Sequence, residues 1–65
     1  MTSYRVYLVT PEGRLRLGET FEAPDDAAAQ ARLAAIAPLG QAAELWAGGR
    51  IVGRLAKSGE FRAGP

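Results

Sequence analysis

The chain has 65 residues, a net charge of +1, and neither cysteine nor histidine. Those absences exclude disulfides, thiolate nucleophiles and Cys-type metal sites, and they remove the commonest general base and zinc ligand. One domain of this size buries only about 60% of its unfolded surface, so self-association is the remaining route to extra stability, and near-neutral charge gives nucleic acid no bulk attraction.

The opening MTSYRVYLV is too short and too polar for a signal peptide, and no apolar run approaches membrane length. A cytoplasmic bacterial protein is the expectation. Seven arginines to one lysine, with abundant alanine, fit a GC-rich genome. Residues 4–10, YRVYLVT, are aromatic and β-branched and read as a first strand. In Pro11-Glu12-Gly13, proline suits the first turn position and glycine the left-handed one, as in a type I turn with a G1 bulge. This loop sets Thr10 opposite Arg14, Val9 opposite Leu15, Tyr7 opposite Leu17, Arg5 opposite Glu19 and Ser3 opposite Phe21. Tyr7, Val9, Leu15, Leu17 and Phe21 then share one face, and Arg5 with Glu19 forms an opposite-charge pair. The second strand spans residues 14–22, with Gly18 as a point where a bulge can interrupt it.

Residues 24–38, PDDAAAQARLAAIAP, supply the one helix of useful length, placed at residues 25–37. Asp25 and Asp26 bring negative charge to the positive end of the helix dipole, and the N-cap is Ala23, Pro24 or Asp25. Alanine is the strongest helix former. Pro38 disfavours helical geometry at Ala37, and Gly40 offers a left-handed exit. Ala29, Leu33, Ile36 and Ala37 fall on one face, and Arg32 can lay its stem along the rim.

Residues 42–47 and 50–56 read as strands three and four around Gly48-Gly49, a two-residue hairpin signal for a type I′ turn. The preferred register pairs Ala47 with Arg50, Trp46 with Ile51, Leu45 with Val52 and Ala43 with Arg54. A three-residue loop would instead pair Trp46 with Val52 and Glu44 with Arg54, and one residue of slip reverses a strand's faces. Residues 57–65, KSGEFRAGP, read as a flexible tail whose lone aromatic, Phe61, could dock on a neighbouring surface.

The resulting fold class is α+β, a ββαββ arrangement with two antiparallel hairpins in a four-stranded sheet and one helix on one face. The expected helix-side core is Tyr7, Leu17, Phe21, Leu33, Ile36, Trp46, Ile51 and Leu55. A thirteen-residue helix is about 20 Å long and covers one sheet face only. The other face would carry Tyr4, Val6, Leu8, Arg16, Leu45, Val52 and Arg54, more apolar than a solvated sheet surface. These seven residues are the expected interaction face. A second copy of the chain is the first partner to consider, through this face or a sheet edge. The alternatives are a different protein, a larger complex in which the chain is an accessory subunit, or nucleic acid stacking on Tyr4 beside Arg16, Arg50 and Arg54.

No residue is assigned a catalytic, cofactor or metal role, and enzyme activity is not expected. Asp25-Asp26 reads as a cap and dipole pair rather than a metal site. Ser58-Gly59 lacks a base to activate the hydroxyl. Gly48-Gly49 is followed by no helix N-terminus that would make a phosphate loop. The function expected is a non-catalytic protein-interaction or structural module acting as a homodimer.

Glu44-Leu45-Trp46-Ala47-Gly48-Gly49-Arg50-Ile51-Val52 resembles the closing hairpin of small bacterial proteins in which ELW, a Gly-containing turn and an Arg-hydrophobic-Val run follow an Ala-rich helix. The opening YRVYLVTPEGRLR is similar to their first hairpin, so the resemblance covers residues 4–56. Pro24 stands where those proteins usually carry an Asp cap. The resemblance implies the ββαββ layout and carries no activity or ligand with it.

Overall fold

A computed structural model describes residues 1–37 and 40–64. The chain runs β1 (Thr2–Val9), β2 (Leu15–Ala23), α1 (Asp26–Ile36), β3 (Ala43–Ala47), β4 (Arg50–Leu55) and β5 (Phe61–Ala63). The class is α+β, with one helix on an antiparallel sheet. The sheet has five strands, in the order β2-β1-β3-β4-β5, not the four expected. The segment expected to be a flexible tail forms the last turn and β5, apart from Pro65, which lies outside the described residues. Phe61 is its anchor. It packs against the core and lies across Gly53, where the missing side chain makes room for its ring.

The first hairpin follows its turn chemistry. Thr10 and Arg14 close the loop with a 2.8 Å backbone bond, and Gly13 takes φ 84°. Val9 pairs with Leu15 and Tyr7 with Leu17, as the three-residue loop requires. Beyond that point a bulge at Gly18 shifts the phase by one residue, so Arg5 pairs with Thr20, Tyr4 with Phe21 and Ser3 with Glu22. The expected Arg5–Glu19 pair does not form, because Glu19 now stands opposite Val6. Phe21 moves to the face of Tyr4, where the two rings stack at 5.8 Å.

Asp25 is the N-cap of α1: its backbone is extended, and its carboxylate accepts from the Ala28 N–H at 2.8 Å. Pro24 therefore precedes the cap. At the other end Ala37 is extended (φ −72°, ψ 131°), the geometry expected of a residue before proline. Pro38 and Leu39, read above as the helix stop and the start of the connection, lie outside the described residues. Gly40 has the left-handed φ, 79°. Ala29 and Leu33 are fully buried, Ile36 and Ala37 pack against the core, and the Arg32 guanidinium sits 5.6 Å from the centre of the Phe21 ring.

The second hairpin reconciles the two registers. Near the turn Ala47 pairs with Arg50 and Trp46 with Ile51, as a two-residue loop demands. A bulge then absorbs Val52, and farther along Glu44 pairs with Arg54, as the longer loop would have it. Of the two central glycines only Gly48 has positive φ, at 61°, so the turn has the signs of type II′ and not I′. β1 and β3 are antiparallel neighbours, so the handedness rule for parallel crossovers does not enter.

The helix lies on the face opposite to the one expected. Tyr4, Val6, Ala23, Ala43, Leu45, Val52 and Leu55 form the core with Ala29 and Leu33, and Phe21, Ile36 and Leu8 pack around it. Four of the eight expected core residues, Leu33, Ile36, Phe21 and Leu55, take part. Tyr7, Leu17, Trp46 and Ile51 point the other way. Charge and size decide the matter. Strand alternation puts Arg5, Glu44 and Arg54 beside Tyr7 and Trp46. Placing the helix there would drive those charges out of water at high cost. The Tyr4 face offers Ala23, Ala43 and Gly53 at the corresponding places, which lets an alanine-rich helix approach closely.

Candidate interaction face

Of the seven residues expected to form the interaction face, four are core: Tyr4, Val6, Leu45 and Val52 are at most 7% exposed. Leu8 is half-buried on the helix side, and Arg16, its β2 partner, is exposed at the sheet edge on that same side. Only Arg54 stands on the uncovered face. The uncovered face is formed instead by residues that alternate with them in sequence.

The uncovered face is built on one cross-strand row that crosses all five strands. Leu17 pairs with Tyr7, Tyr7 with Glu44, Glu44 with Arg54 and Arg54 with Arg62. A second row holds Thr20, Arg5, Trp46 and Ile51. The first row is apolar at β2 and β1 and cationic at β4 and β5. Leu15 and Leu17 are 49% and 56% exposed. Tyr7, Val9, Trp46 and Ile51 are half-buried with no second layer above them.

Its centre is rigidly held. The Tyr7 and Trp46 rings meet edge to face at 6.4 Å. The Trp46 indole N–H donates to Glu44 Oε1 at 3.0 Å, and Arg54 Nε approaches Glu44 Oε2 at 3.4 Å. The Glu44 side chain is only 13% exposed, and its one carboxylate serves both neighbours. The arrangement presents an aromatic and aliphatic surface around one largely covered carboxylate.

A second polar cluster ties the helix to the sheet. The Tyr4 hydroxyl donates to Asp26 Oδ1 at 2.8 Å, and both terminal nitrogens of Arg50 donate to the Asp26 carboxylate at 3.3 Å. The hydrogen bond from Tyr4, then that from Arg50, holds the Asp26 carboxyl below its ordinary range. Burial, then the bond to Asp26, pushes the Tyr4 hydroxyl above its ordinary value. Each of the three side chains is hydrogen-bonded to another of them, and the cluster is a latch between β1, α1 and β4. Among the described residues no group of three or more carboxylates gathers as a metal site, and no buried side-chain polar atom lacks a hydrogen bond. No helix among them is long and apolar enough to cross a membrane.

No family model, no curated protein and no solved structure matches the chain. The uncovered face therefore stands on its own chemistry.

Proposed function

We propose that the chain is a non-catalytic interaction module that acts as a homodimer, with the uncovered sheet face of one copy packed on that of another. The observation that carries this reading is the contiguous apolar patch of Tyr7, Val9, Leu15, Leu17, Trp46 and Ile51 on the side without a helix. Monomers rarely leave such patches bare. A standard interface takes about 800 Å² from each partner. That is about a fifth of the 4344 Å² this chain exposes. Arg5 and Arg54 border the patch, where charge is tolerated at an interface rim.

Sedimentation or light scattering of the parent and of Leu17→Glu tests the reading. The parent is expected to dimerise at micromolar concentration and the variant to remain monomeric and folded. A parent that stays monomeric at high micromolar concentration overturns it. A dimer indifferent to Leu17→Glu moves the interface to the exposed edge of β2 or to the helix. Titration with a mixed RNA and DNA pool at low salt separates the nucleic-acid alternative, because phosphate-driven binding weakens steeply as salt rises.

A further inference from the structure

Arg54 and Arg62 stand directly opposite each other across the β4–β5 pair. Like charges in that position destabilise a sheet unless they are neutralised. Each has one intramolecular acid, and each acid sits at the inner nitrogen of the guanidinium. Arg54 Nε is 3.4 Å from Glu44 Oε2, and Arg62 Nε is 3.4 Å from Glu60 Oε1. These contacts orient both forks while the terminal amino groups have no hydrogen-bond partner among the described residues. Both side chains are largely in solvent, at 71% and 80% exposure.

The two arginines line one recess of about 370 Å³, whose other walls are Ile51, Ala63 and Gly64. That volume lies in the range of small-ligand sites, roughly 300–1,000 Å³. No carboxylate lines it. Its floor is apolar, and Ile51 in that floor is the cross-strand partner of Trp46.

We propose that this recess binds an amphipathic anion. The oxyanion sits between the terminal N–H groups of Arg54 and Arg62, and an attached apolar body lies over Ile51 toward Trp46. Paired guanidinium forks match the geometry of carboxylate and phosphate oxygens. The apolar floor adds affinity that a bare ion cannot gain. The site lies at the β5 border of the sheet, away from Leu15 and Leu17 on β2; Ile51 also belongs to the patch proposed for the second copy, so the monomeric Leu17→Glu protein presents the recess free of that competitor.

The test is a titration followed by amide chemical shifts and by the fluorescence of Trp46, the one tryptophan in the chain. Hexyl phosphate and hexanoate are the probes, and inorganic phosphate and hexanol are the controls. Parent and Leu17→Glu proteins are both titrated, so that loss of the dimer and loss of the site are read separately. The phosphate or carboxylate probe is expected to shift Ile51, Arg54, Arg62 and Gly64 with a Kd of roughly millimolar or tighter. Each control should bind at least about tenfold more weakly, and Arg54→Gln and Arg62→Gln should each weaken the probe by about tenfold. The tighter of the two probes identifies the oxyanion. Binding to either protein supports the site. No binding to both overturns it, as does equal binding of hexanol, equal binding of inorganic phosphate, or indifference to both arginine variants.

Discussion

Leu45→Ala and Leu17→Ala remove the same atoms from opposite sides of the sheet, and the fold assigns them very different costs. Leu45 is fully buried, pairs with Val6 and belongs to the cluster that holds Ala29 and Leu33. Its truncation loses the transfer energy of a buried leucine side chain and leaves a cavity beneath the helix, together about 2–5 kcal/mol. Leu17 is 56% exposed and has nothing packed above it. Its truncation should cost less than about 1 kcal/mol. In a domain of this size each kcal/mol moves Tm by about 4–8 °C. Leu45→Ala should therefore melt more than about 10 °C below the parent, and Leu17→Ala within a few degrees of it. Total stability is on the order of 3–10 kcal/mol, so Leu45→Val serves where the alanine variant is too little folded. Melts followed by far-UV circular dichroism at two protein concentrations make the measurement. A concentration-dependent loss in Leu17→Ala belongs to the dimer, and a concentration-independent one to the monomer fold. Equal concentration-independent losses in the two variants would put the helix over Tyr7 and Trp46 and refute the assignment of faces.

Three further outcomes follow from the same contacts. The Asp26 carboxyl is held below its ordinary value of 3.8 by Tyr4 and Arg50. A depressed folded value gives stability that is present above the unfolded value and lost as pH falls through the folded one. The acid limb of the parent's stability profile should thus be steeper than that of Asp26→Asn, and superimposable limbs would remove the latch. Asp25→Ala deletes the cap on the Ala28 N–H and should cost about 0.5–2 kcal/mol, with Asp25→Asn nearly neutral; an unchanged Tm in the alanine variant would place the helix start elsewhere. A methyl group at Gly53 would lie 2.6 Å from the Arg62 carbonyl oxygen and 2.7 Å from Phe61 Cε2. Gly53→Ala should cost about 1–3 kcal/mol through overpacking and should strip hydrogen-exchange protection from β5 first, so full protection there would show that Phe61 docks differently.

Much of the layout is legible in the residues because it rests on local chemistry. Pro11-Glu12-Gly13 and Gly48-Gly49 mark hairpins at the right places, and Asp25 with the alanine run marks the helix. The faces were harder to read because both are apolar, and a period of two says nothing about where its phase slips. Two slips occur, at Gly18 and at Val52. The first moves Phe21 to the helix side, and the second admits both ends of two competing registers. The glycines were the available signals: Gly18 and Gly53 interrupt strand patterns, which often means a bulge or a close approach. Residues 57–65 read as a tail because Phe61 has no local partner in sequence. Its seat is Gly53, and no windowed pattern joins the two.

The two bulges act in the same direction, and this bears on what the uncovered face is for. Each inserts its extra residue toward the helix. Gly18 faces the Leu8 side chain, and Val52 enters the core beside Gly53. The helix side thereby carries both extra residues, while the row from Leu17 through Tyr7, Glu44 and Arg54 to Arg62 crosses all five strands without a break. Three of those five residues are charged, and the apolar part of the row is Leu17 and Tyr7. Here the apolar end keeps Leu15, Leu17 and the Tyr7–Trp46 pair, with Arg5 beside Trp46, Arg54 paired to Glu44 and Arg62 at the far border. An irregular covered side and a regular, partly apolar uncovered side fit the proposal above, in which a second copy meets the sheet as a broad flat surface.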